Sequence, residues 1–443
     1  MSQVNEAIAQ YESAIARDPA DIASLNQLAM LQSSMGQHSE ALRHISAALK
    51  LSPKHPLLHY NLGQVHGNAG RYEEEIKAYR QAITLKPDFI EAYVNMGVAL
   101  RDMQRFEDAF EAFKQALRIQ PEHPGARTNR AQTNLMLGNF EHGWREYEWR
   151  WQDGHQSHDV KGLRWNGKAP LKGKRLLIHA EQGLGDTIQF VRYLDLLKGL
   201  GAKVILRVQP PLAKLLAEYP ATDLVIDTET PLHAFDFQIP LLSLPHVLYG
   251  RHPGIPCAHH YLNAQPAKVD EWSHWLARKT QDRSNKNNAA PKNKTLKVGL
   301  CWSGSTHHLN DKNRSMLLAQ WSPMFDLDCV FVSLQKEIRD ADQKTLAAHP
   351  EILNAGVEFK NFDDTAGLLC NLDLVITVDT SVAHISAALG IPTWILLPEP
   401  ADWRWLRDRT DSPWYPSAKL FRQSVRGQWS DVIETITLQL ANL

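Results

Sequence analysis

The chain of 443 residues has room for about two to four domains, each with its own hydrophobic core. Its 48 Lys and Arg residues almost balance 49 Asp and Glu residues, so charge gives no reason to expect binding to nucleic acid or to an anionic membrane. No apolar run reaches the roughly 18 residues of a membrane span, the first residues do not resemble a signal peptide, and the four cysteines lie far apart. We therefore expect a soluble, cytoplasmic protein without membrane insertion.

The first domain, residues 1–151, repeats with a period of 34 residues. Three sets of residues keep this spacing: Pro19, Pro53, Pro87 and Pro121; Ala14, Ala48, Ala82 and Ala116; Gly36, Gly70, Gln104 and Gly138. Small residues where two helices meet, with a proline after the second helix, resemble the tetratricopeptide repeat. The resemblance implies an α-solenoid with a concave, peptide-binding surface. The aromatic and basic stretch from Gly143 to Trp151 could bind nucleic acid, but in a neutral chain we interpret it as a capping helix.

One polar register of the repeats could bind a ligand. It contains Gln27, Asn61, Asn95 and Asn129, each on the first helix of its repeat. These repeats resemble those of the O-GlcNAc transferase family, in which asparagines at the matching position bind the backbone of the acceptor polypeptide. The resemblance implies that Asn61, Asn95 and Asn129 bind a polypeptide acceptor, because an amide both donates and accepts hydrogen bonds. The alternative, that they only solvate the groove, stays open.

Strands alternate with helices over the rest of the chain. Predicted strands are residues 175–180, 203–208, 224–226, 298–302, 330–334, 374–378 and 393–397. Residues 279–295 are rich in Asn, Lys and Ser and predict a linker between two Rossmann-like domains, 165–278 and 296–428, with a closing helix at 429–443. The predicted fold class is therefore α + α/β, an α-solenoid followed by the two-domain layout of a GT-B glycosyltransferase, whose ligands bind between the carboxyl ends of two parallel sheets.

The segment after the strand at 374–378 has the features of a phosphate site. Asp379, Thr380 and Ser381 can cap the helix that follows, and this helix ends before Gly390 and Pro392. Hydroxyl and backbone N–H groups at a helix N-terminus bind phosphate readily, which indicates a bound nucleotide. An ordinary strand-to-helix turn with a good cap would look the same.

Three motifs in order along the chain resemble the heptosyltransferase-like glycosyltransferases of family 9. They are Gly183-Leu-Gly185-Asp186, Trp302 to Thr306 followed by Lys312 and Arg314, and Asp379 to His384. The branch of this family that carries tetratricopeptide repeats includes flagellin glycosyltransferases. The resemblance implies a set of donor-binding residues: Ser303, Gly304, Lys312, Arg314, Gln335, Lys336, Glu337, Asp379, Thr380, Ser381 and His384.

Asp186 matches the proposed catalytic aspartate of that family. If it is the general base, transfer inverts the anomeric centre by direct displacement; a carboxylate at a helix start can equally be an N-cap. We expect no metal site, because Asp326-Leu-Asp328 lies in the wrong architecture for a metal-binding D-x-D motif and the paired histidines lack ligand spacing. No cofactor is expected besides the nucleotide-sugar co-substrate.

These observations predict a metal-independent, inverting glycosyltransferase that moves a sugar from a nucleotide-sugar to a polypeptide recruited by the repeats, such as flagellin or another surface protein. The chain departs from the heptosyltransferases in three ways: Ser381 replaces a usual Gly, Pro398 to Trp403 replace a Gly-Pro-Thr turn, and the repeats are additional. The resemblance therefore does not imply a heptose donor or a lipid A-core acceptor. Two alternatives stay open: a catalytically silent repeat scaffold with a degenerate GT-B half, and a heptosyltransferase-like enzyme acting on a glycan or lipid. The stretch Trp403 to Arg407 is expected to pack between the two halves rather than to stack on a base or sugar.

Overall fold

The computed structural model describes residues 2–152, 160–287, 295–308 and 310–443. These residues divide into two units, Met1–Gln156 and Ser157–Leu443. The helical solenoid and the region of parallel sheets confirm the predicted α + α/β class. Among the described residues, no helix has the length and apolar character needed to cross a membrane.

The described part of the first unit is helical. Its helices are α1 Ser2–Arg17, α2 Ile22–Ser34, α3 His38–Leu51, α4 Pro56–Asn68, α5 Tyr72–Leu85, α6 Ile90–Asp102, α7 Phe106–Ile119, α8 Pro124–Met136 and α9 Phe140–Tyr147, followed by a 3₁₀ turn at Glu148–Trp151. The 34-residue register falls on the same structural position each time. Gly36, Gly70, Gln104 and Gly138 all adopt a positive φ, between 59° and 78°, where the first helix of a repeat turns into the second.

Small residues let the two helices of a repeat approach closely. A Cβ atom on Gly63 of α4 would lie 2.5 Å from Tyr79 Cε1 of α5, and one on Gly97 of α6 would lie 2.5 Å from Phe113 Cε1 of α7. The alanines of the register, Ala48, Ala82 and Ala116, are fully buried. The apolar core of the solenoid is therefore shared between neighbouring helices, which is why one helix pair cannot form it alone.

The second unit alternates strands and helices. Its strands are β1 Arg175–His179, β2 Lys203–Val208, β3 Leu224–Asp227, β4 Phe237–Pro240, β5 Leu296–Cys301, β6 Cys329–Ser333, β7 Leu353–Asn354, β8 Leu374–Val378, β9 Thr393–Leu397 and β10 Ala418–Arg422. Its helices are α10 Leu184–Phe190, α11 Leu194–Lys198, α12 Pro210–Leu216, α13 Leu244–Leu248, α14 Pro266–Asn287, α15 Asp311–Arg314, α16 Asp340–Ala348, α17 Phe362–Leu369, α18 Ser381–Ala388 and α19 Ser430–Leu440. Short 3₁₀ helices lie at Val191–Tyr193, Leu241–Ser243, Leu318–Met324, Gly356–Glu358 and Trp403–Trp405.

The strands form two parallel sheets, in the orders β3-β2-β1-β4 and β10-β9-β8-β5-β6-β7. In each sheet the strand order reverses direction at one place, between β1 and β4 in the first and between β5 and β8 in the second. Ligands of open parallel sheets bind outside the carboxyl ends of strands at such a switch point. The topology thus selects the segments after β1, β5 and β8.

Helix α14 extends from Pro266 to Asn287, so the first part of the predicted linker 279–295 is helical. Residues 288–294 of that linker lie outside the described residues, as do residues 153–159 between the predicted first and second domains. Helix α19, within the predicted closing segment 429–443, packs Val432, Ile433 and Ile436 into the core of the second sheet.

A buried arginine joins the two sheets. Arg192, which follows α10, is 2% exposed and donates from Nη2 to the Tyr261 hydroxyl at 2.8 Å and from Nη1 to the backbone oxygen of Trp414. Its guanidinium carbon lies 4.4 Å from the Tyr261 ring centroid and 4.7 Å from that of Tyr415. Because these partners come from both halves of the unit, the side chain holds the two sheets in one arrangement.

Candidate functional site

The start of α18 follows β8 at the switch point of the second sheet. Thr380 has extended backbone and its hydroxyl accepts the N–H of Val382 at 3.2 Å, so Thr380 is the N-cap predicted from the sequence. The same hydroxyl lies 3.2 Å from Thr377 Oγ1 and 3.8 Å from the Cys301 sulfur. Thr380 is therefore buried in the site, while Ser381, the first residue of α18, is partly exposed at the edge of the sheet.

The loop after β5 lies beside this helix because β5 pairs with β8. Ser303 is 2% exposed, and its hydroxyl has no hydrogen-bond partner in the structure. Its backbone is clamped by Gln335: the amide nitrogen donates to the Ser303 oxygen at 3.0 Å, and the amide oxygen accepts the Ser303 N–H at 3.2 Å. The predicted donor-binding residue Gln335 thus positions the loop, and Ser303 supplies a buried hydroxyl without a partner.

Arg314 connects the loop to the helix. It donates from Nη1 to the backbone oxygen of Asp379 at 2.7 Å, and its side chain is 14% exposed. Gly304 allows this approach, because a Cβ atom there would lie 2.6 Å from Arg314 Nη2. Arg339 completes the corner by donating to the Gly304 oxygen at 2.8 Å and to Asp311 Oδ2 at 2.7 Å. Ser303, Gly304, Arg314, Asp379 and the start of α18 therefore form one continuous surface.

Asp186 comes from the loop after β1, at the switch point of the first sheet. Its Oδ2 accepts the Gly183 N–H at 2.8 Å, which makes it part of the cap of α10. Its Oδ1 pairs with Arg404 Nη2 of the second half. The N-cap alternative is thus present in the structure, and the second oxygen is directed across the cleft toward the second sheet.

His384 forms a second contact between the two halves. A Cβ atom on Gly185 would lie 2.6 Å from His384 Cδ2, so the glycine loop of the first half rests directly on the imidazole ring. Nδ1 of His384 is 2.8 Å from the Tyr415 hydroxyl, and the ring stacks on Trp405 at 5.3 Å between centroids. Burial lowers the pKa of His384 to about 3, and the charge of Arg404 adds to this effect, so the imidazole is neutral near pH 7.

Two carboxyl groups of the cleft differ in proton affinity. Burial raises the pKa of Asp379 to about 6, with the charge of Asp402 adding to the rise and that of Arg314 opposing it. Burial acts on Asp402 in the same direction, but the charge and N–H donors of Arg404 outweigh it and lower the Asp402 pKa. The cleft thus holds one carboxylate stabilised by Arg404 and a neighbour that titrates closer to neutral pH.

The remaining predicted donor-binding residues lie at the rim. Lys312 is exposed on the short helix α15, and Lys336 and Glu337 are exposed directly after Gln335. Their exposure places them where a ligand could reach them without displacing packed side chains. Among the described residues, no group of three or more His, Cys, Asp or Glu side chains has the arrangement of a metal site.

The predicted acceptor-binding asparagines belong to the first unit and take part in a ladder between repeats. Asn61 is 7% exposed and donates from Nδ2 to Asn26 Oδ1 at 2.7 Å. Asn95 donates from Nδ2 to the Tyr60 hydroxyl at 2.9 Å. Asn129 donates to the Gly125 oxygen at 2.9 Å within its own helix and accepts from Arg101 at 3.3 Å. Asn61 and Asn95 therefore join the first helices of neighbouring repeats, with part of their hydrogen-bonding capacity already in use.

The sequence did not reveal several residues that shape the cleft. Arg192, Asp311 and Arg339 act through partners that are distant in the sequence, so no local motif marks them. Asp402 acts on Arg404, two positions away, by accepting its backbone N–H and pairing with its guanidinium. The expected packing of the Trp403 stretch between the two halves is confirmed, because the Trp403 ring lies 6.5 Å from that of Phe190. Arg404 lies in the middle of that stretch, between two buried tryptophans. The sequence did not predict its contact with Asp186.

Comparison with known proteins identifies the repeats. Two family models, each described as tetratricopeptide repeat, match residues 26–88 and 90–123. The first unit is therefore built of tetratricopeptide repeats, an architecture that binds protein partners.

The chain is also similar to Protein FlbA of Caulobacter vibrioides, with 27% identity over 340 residues that span 70% of this chain and 54% of the relative. The chain thus spans about half the length of this curated relative. The matched 70% of this chain is longer than the repeat array, so the similarity continues into the second unit.

Solved structures that resemble the chain cover about a third of it. MamA has 19% identity and a TM-score of 0.31 over 34% of this chain and 88% of its own. A structure from a functional characterization of Pseudomonas aeruginosa pilF has 21% identity and a TM-score of 0.32 over 35% of this chain and 71% of its own. A tetratricopeptide repeat protein from Parabacteroides merdae has 22% identity and a TM-score of 0.31 over 34% and 60%.

Proposed function

We propose that the chain is a metal-independent, inverting glycosyltransferase that moves a sugar from a nucleotide-sugar to a polypeptide held by the repeat array. One observation carries this proposal: the segments at the two switch points meet, since Asp186 after β1 pairs with Arg404 and Gly185 rests on His384 of α18. A carboxylate and a helix N-terminus suited to phosphate therefore share one cleft.

The groups of this cleft account for each bond and proton that changes in the proposed reaction. The acceptor hydroxyl oxygen of a Ser or Thr attacks the anomeric carbon, forming one C–O bond while the bond from that carbon to the diphosphate oxygen breaks. The electron pair of the broken bond leaves with the nucleoside diphosphate, and the hydroxyl proton passes to the Asp186 carboxylate. N–H donors at the start of α18 and the Arg314 guanidinium would stabilise the departing negative charge, which is usually the largest electrostatic contribution to such a step.

The repeat array supports a polypeptide acceptor, because tetratricopeptide repeats bind protein segments in a concave groove. In the glycosyltransferases that the chain resembles, flagellin or another surface protein fills this role. The groove is tested by replacing Asn61, Asn95 and Asn129 together with Ala and measuring acceptor binding and transfer. The control is Gln115→Ala, a partly exposed amide on α7. Retained binding and transfer in the triple variant would remove these asparagines from the proposal.

A second candidate function is a protein scaffold without catalytic activity. It is favoured by the internal pairing of the cleft, in which Asp186 uses both oxygens and Arg339 pairs with Asp311. Under this alternative the ion pairs only hold the two sheets together and the repeats carry the whole function.

A ligand screen separates the two candidates. The full chain is heated with UDP-, GDP-, ADP-, dTDP- and CMP-sugars, and a ligand at about 100 times its Kd should stabilise it by roughly 2.7 kcal/mol. The transferase proposal predicts that one nucleotide class raises the Tm and that Lys312→Ala reduces the shift. The control Lys344→Ala, an exposed lysine on α16, should leave the shift unchanged. No shift with any class would favour the scaffold.

A further inference from the structure

The Arg404 guanidinium lies between carboxylates from the two halves of the second unit. Nη2 pairs with Asp186 Oδ1, and Nη1 donates to Asp402 Oδ1 at 2.8 Å. The side chains of Arg404 and Asp186 are 11% and 15% exposed. Water therefore screens this pair little, and the guanidinium offsets the charge of the Asp186 carboxylate.

The turn that carries Arg404 is tightly constrained. Asp402 accepts the Arg404 N–H at 3.0 Å, and the guanidinium carbon lies 4.2 Å from the Trp403 ring centroid. Leu406, directly after the turn, adopts a φ of +53°, a conformation that residues with a side chain rarely take. These contacts hold the Arg404 backbone and guanidinium in place. Arg404 can therefore exchange one partner only for another that binds close to the present position of the guanidinium.

The turn that carries Arg404 lies against the helix of the candidate phosphate site. Trp405, the next residue after Arg404, stacks on His384 of α18 at 5.3 Å between ring centroids, and a Cβ atom on Gly185, the residue before Asp186, would lie 2.6 Å from His384 Cδ2. Arg314 is already bound to the Asp379 backbone oxygen, whereas Arg404 is bound to an ionic partner that a second anion could replace.

We propose that Arg404 exchanges Asp186 for the diphosphate of the nucleotide-sugar. This inference rests on the proposed glycosyltransferase function. A guanidinium can bind two phosphate oxygens at once, and the diphosphate carries more charge than one carboxylate, so the exchange is favourable. Asp186 keeps its bond to the Gly183 N–H, and its other oxygen becomes available to the acceptor hydroxyl. Arg404 is then a diphosphate-binding residue that frees the base only after the donor has bound.

The exchange predicts effects of opposite sign for two variants that break the same ion pair. Asp186→Asn retains an oxygen for the Gly183 N–H but no longer competes for Arg404, so affinity for the nucleoside diphosphate should rise about tenfold, equivalent to about 1.4 kcal/mol. Arg404→Gln removes the cation, and affinity should fall by about tenfold or more. A pair that only holds the sheets together would lower affinity in both variants.

The experiment measures Kd by titration calorimetry, using the full chain and the unmodified nucleoside diphosphate of the class that stabilises it. Asp186→Asn, Arg404→Gln and the double variant are compared with the wild type, and Arg404→Met, which also removes the cation, replaces Arg404→Gln if the latter does not fold. In the Arg404→Gln background, Asp186→Asn should change Kd by less than about twofold, because no guanidinium is left to compete for. Turnover assays add a second readout: Asp186→Asn should abolish transfer although it binds the nucleoside diphosphate more tightly.

Each outcome is informative. Tighter binding by Asp186→Asn that disappears without Arg404 supports the exchange. Unchanged or weaker binding by Asp186→Asn overturns it, and so does a gain that persists in the double variant, which would reflect general charge repulsion. In those cases the transferase proposal still stands, because the wild type binds the nucleotide. Failure of the wild type and Asp186→Asn to bind any nucleoside diphosphate overturns both proposals.

Discussion

The two units of the chain place their charged side chains in different ways. In the repeat array, Arg105 pairs with Asp108 one helical turn away, and both side chains are more than a third exposed. In the sheet unit, Arg192 and Arg404 are buried and bind partners that lie 222 and 218 positions away. The array is stabilised by apolar contacts that recur along the chain, whereas the sheet unit depends on single polar contacts that occur once.

The comparison predicts that removing a buried arginine affects the sheet unit far more than any single charge affects the array. Arg192→Leu would leave the oxygens of Trp414 and Tyr261 without their charged donor, so the free energy of opening the second unit should fall by about 3 kcal/mol or more. Arg105→Leu should change the array by less than about 1 kcal/mol. Hydrogen-exchange mass spectrometry measures each unit separately in the full chain. Equal effects of the two variants would contradict the comparison.

One buried group in each unit should respond to pH in the opposite direction to the other. Burial lowers the pKa of His384 from 6.5 to about 3, so only the unfolded state binds this proton between these values, and the stability that His384 contributes to the sheet unit falls as pH falls from about 6.5. The raised pKa of Asp379, about 6, acts in the other direction below pH 6, so the His384 contribution is measured as the difference between the wild type and His384→Gln. Burial raises the pKa of Glu75 in α5 from 4.5 to about 8, so the folded array binds the proton and loses stability as pH rises through that range. For each of the two groups, the free energy of unfolding can change by up to about 1.4 kcal/mol per pH unit.

Hydrogen exchange between pH 4.5 and 8, with rates referenced to unstructured peptides, tests both slopes. Relative to the wild type, Glu75→Gln should remove the loss of array stability with rising pH that Glu75 contributes and leave the sheet unit unchanged. His384→Gln should remove the loss of sheet-unit stability with falling pH that His384 contributes and leave the array unchanged. An equal pH dependence of array stability in the wild type and in Glu75→Gln would contradict the assignment of a protonated, buried Glu75.

The difference between the repeating array and the sheet unit also explains which parts of the fold could be predicted. The 34-residue period predicted the helix pairs, their close glycine contacts and their turns, because the same residue types recur at the same positions in each repeat. Most strands of the sheets were predicted from apolar runs. Strands β4, β7 and β10 were missed, since β4 and β7 have only four and two residues and β10, at the edge of its sheet, carries the exposed Lys419.

The candidate site was predicted only in its local part. Thr380 as the cap of α18 and the glycine loop ending in Asp186 follow from neighbouring residues, so short motifs indicate them. The pairing of Asp186 with Arg404 and the clamp of Gln335 on Ser303 depend on how separate strands come together. One sequence does not contain that information in any local pattern.

The smallest predicted effect concerns the one irregular turn of the array. Gln104 adopts a φ of +59° where the other repeats have glycine, so Gln104→Gly should relieve strain and stabilise the array by about 1 kcal/mol. The reciprocal change, Gly70→Ala at a φ of +72° with open space around it, should destabilise the array by about 1–2 kcal/mol. Both stability changes are measured by unfolding the full chain in urea and monitoring the array by hydrogen exchange. A stabilising Gly70→Ala would show that the turns are not strained.

The most direct test of the account is a crystal structure of the full chain with the nucleoside diphosphate that stabilises it. We predict the diphosphate at the start of α18, within hydrogen-bonding distance of the Ser381 backbone N–H, the Ser303 hydroxyl and the Arg404 guanidinium, with Asp186 released from Arg404. A diphosphate bound elsewhere, for example in the groove between Pro323 and Ile433, would contradict the proposed site. A saturated complex in which Asp186 and Arg404 stay paired would contradict the exchange.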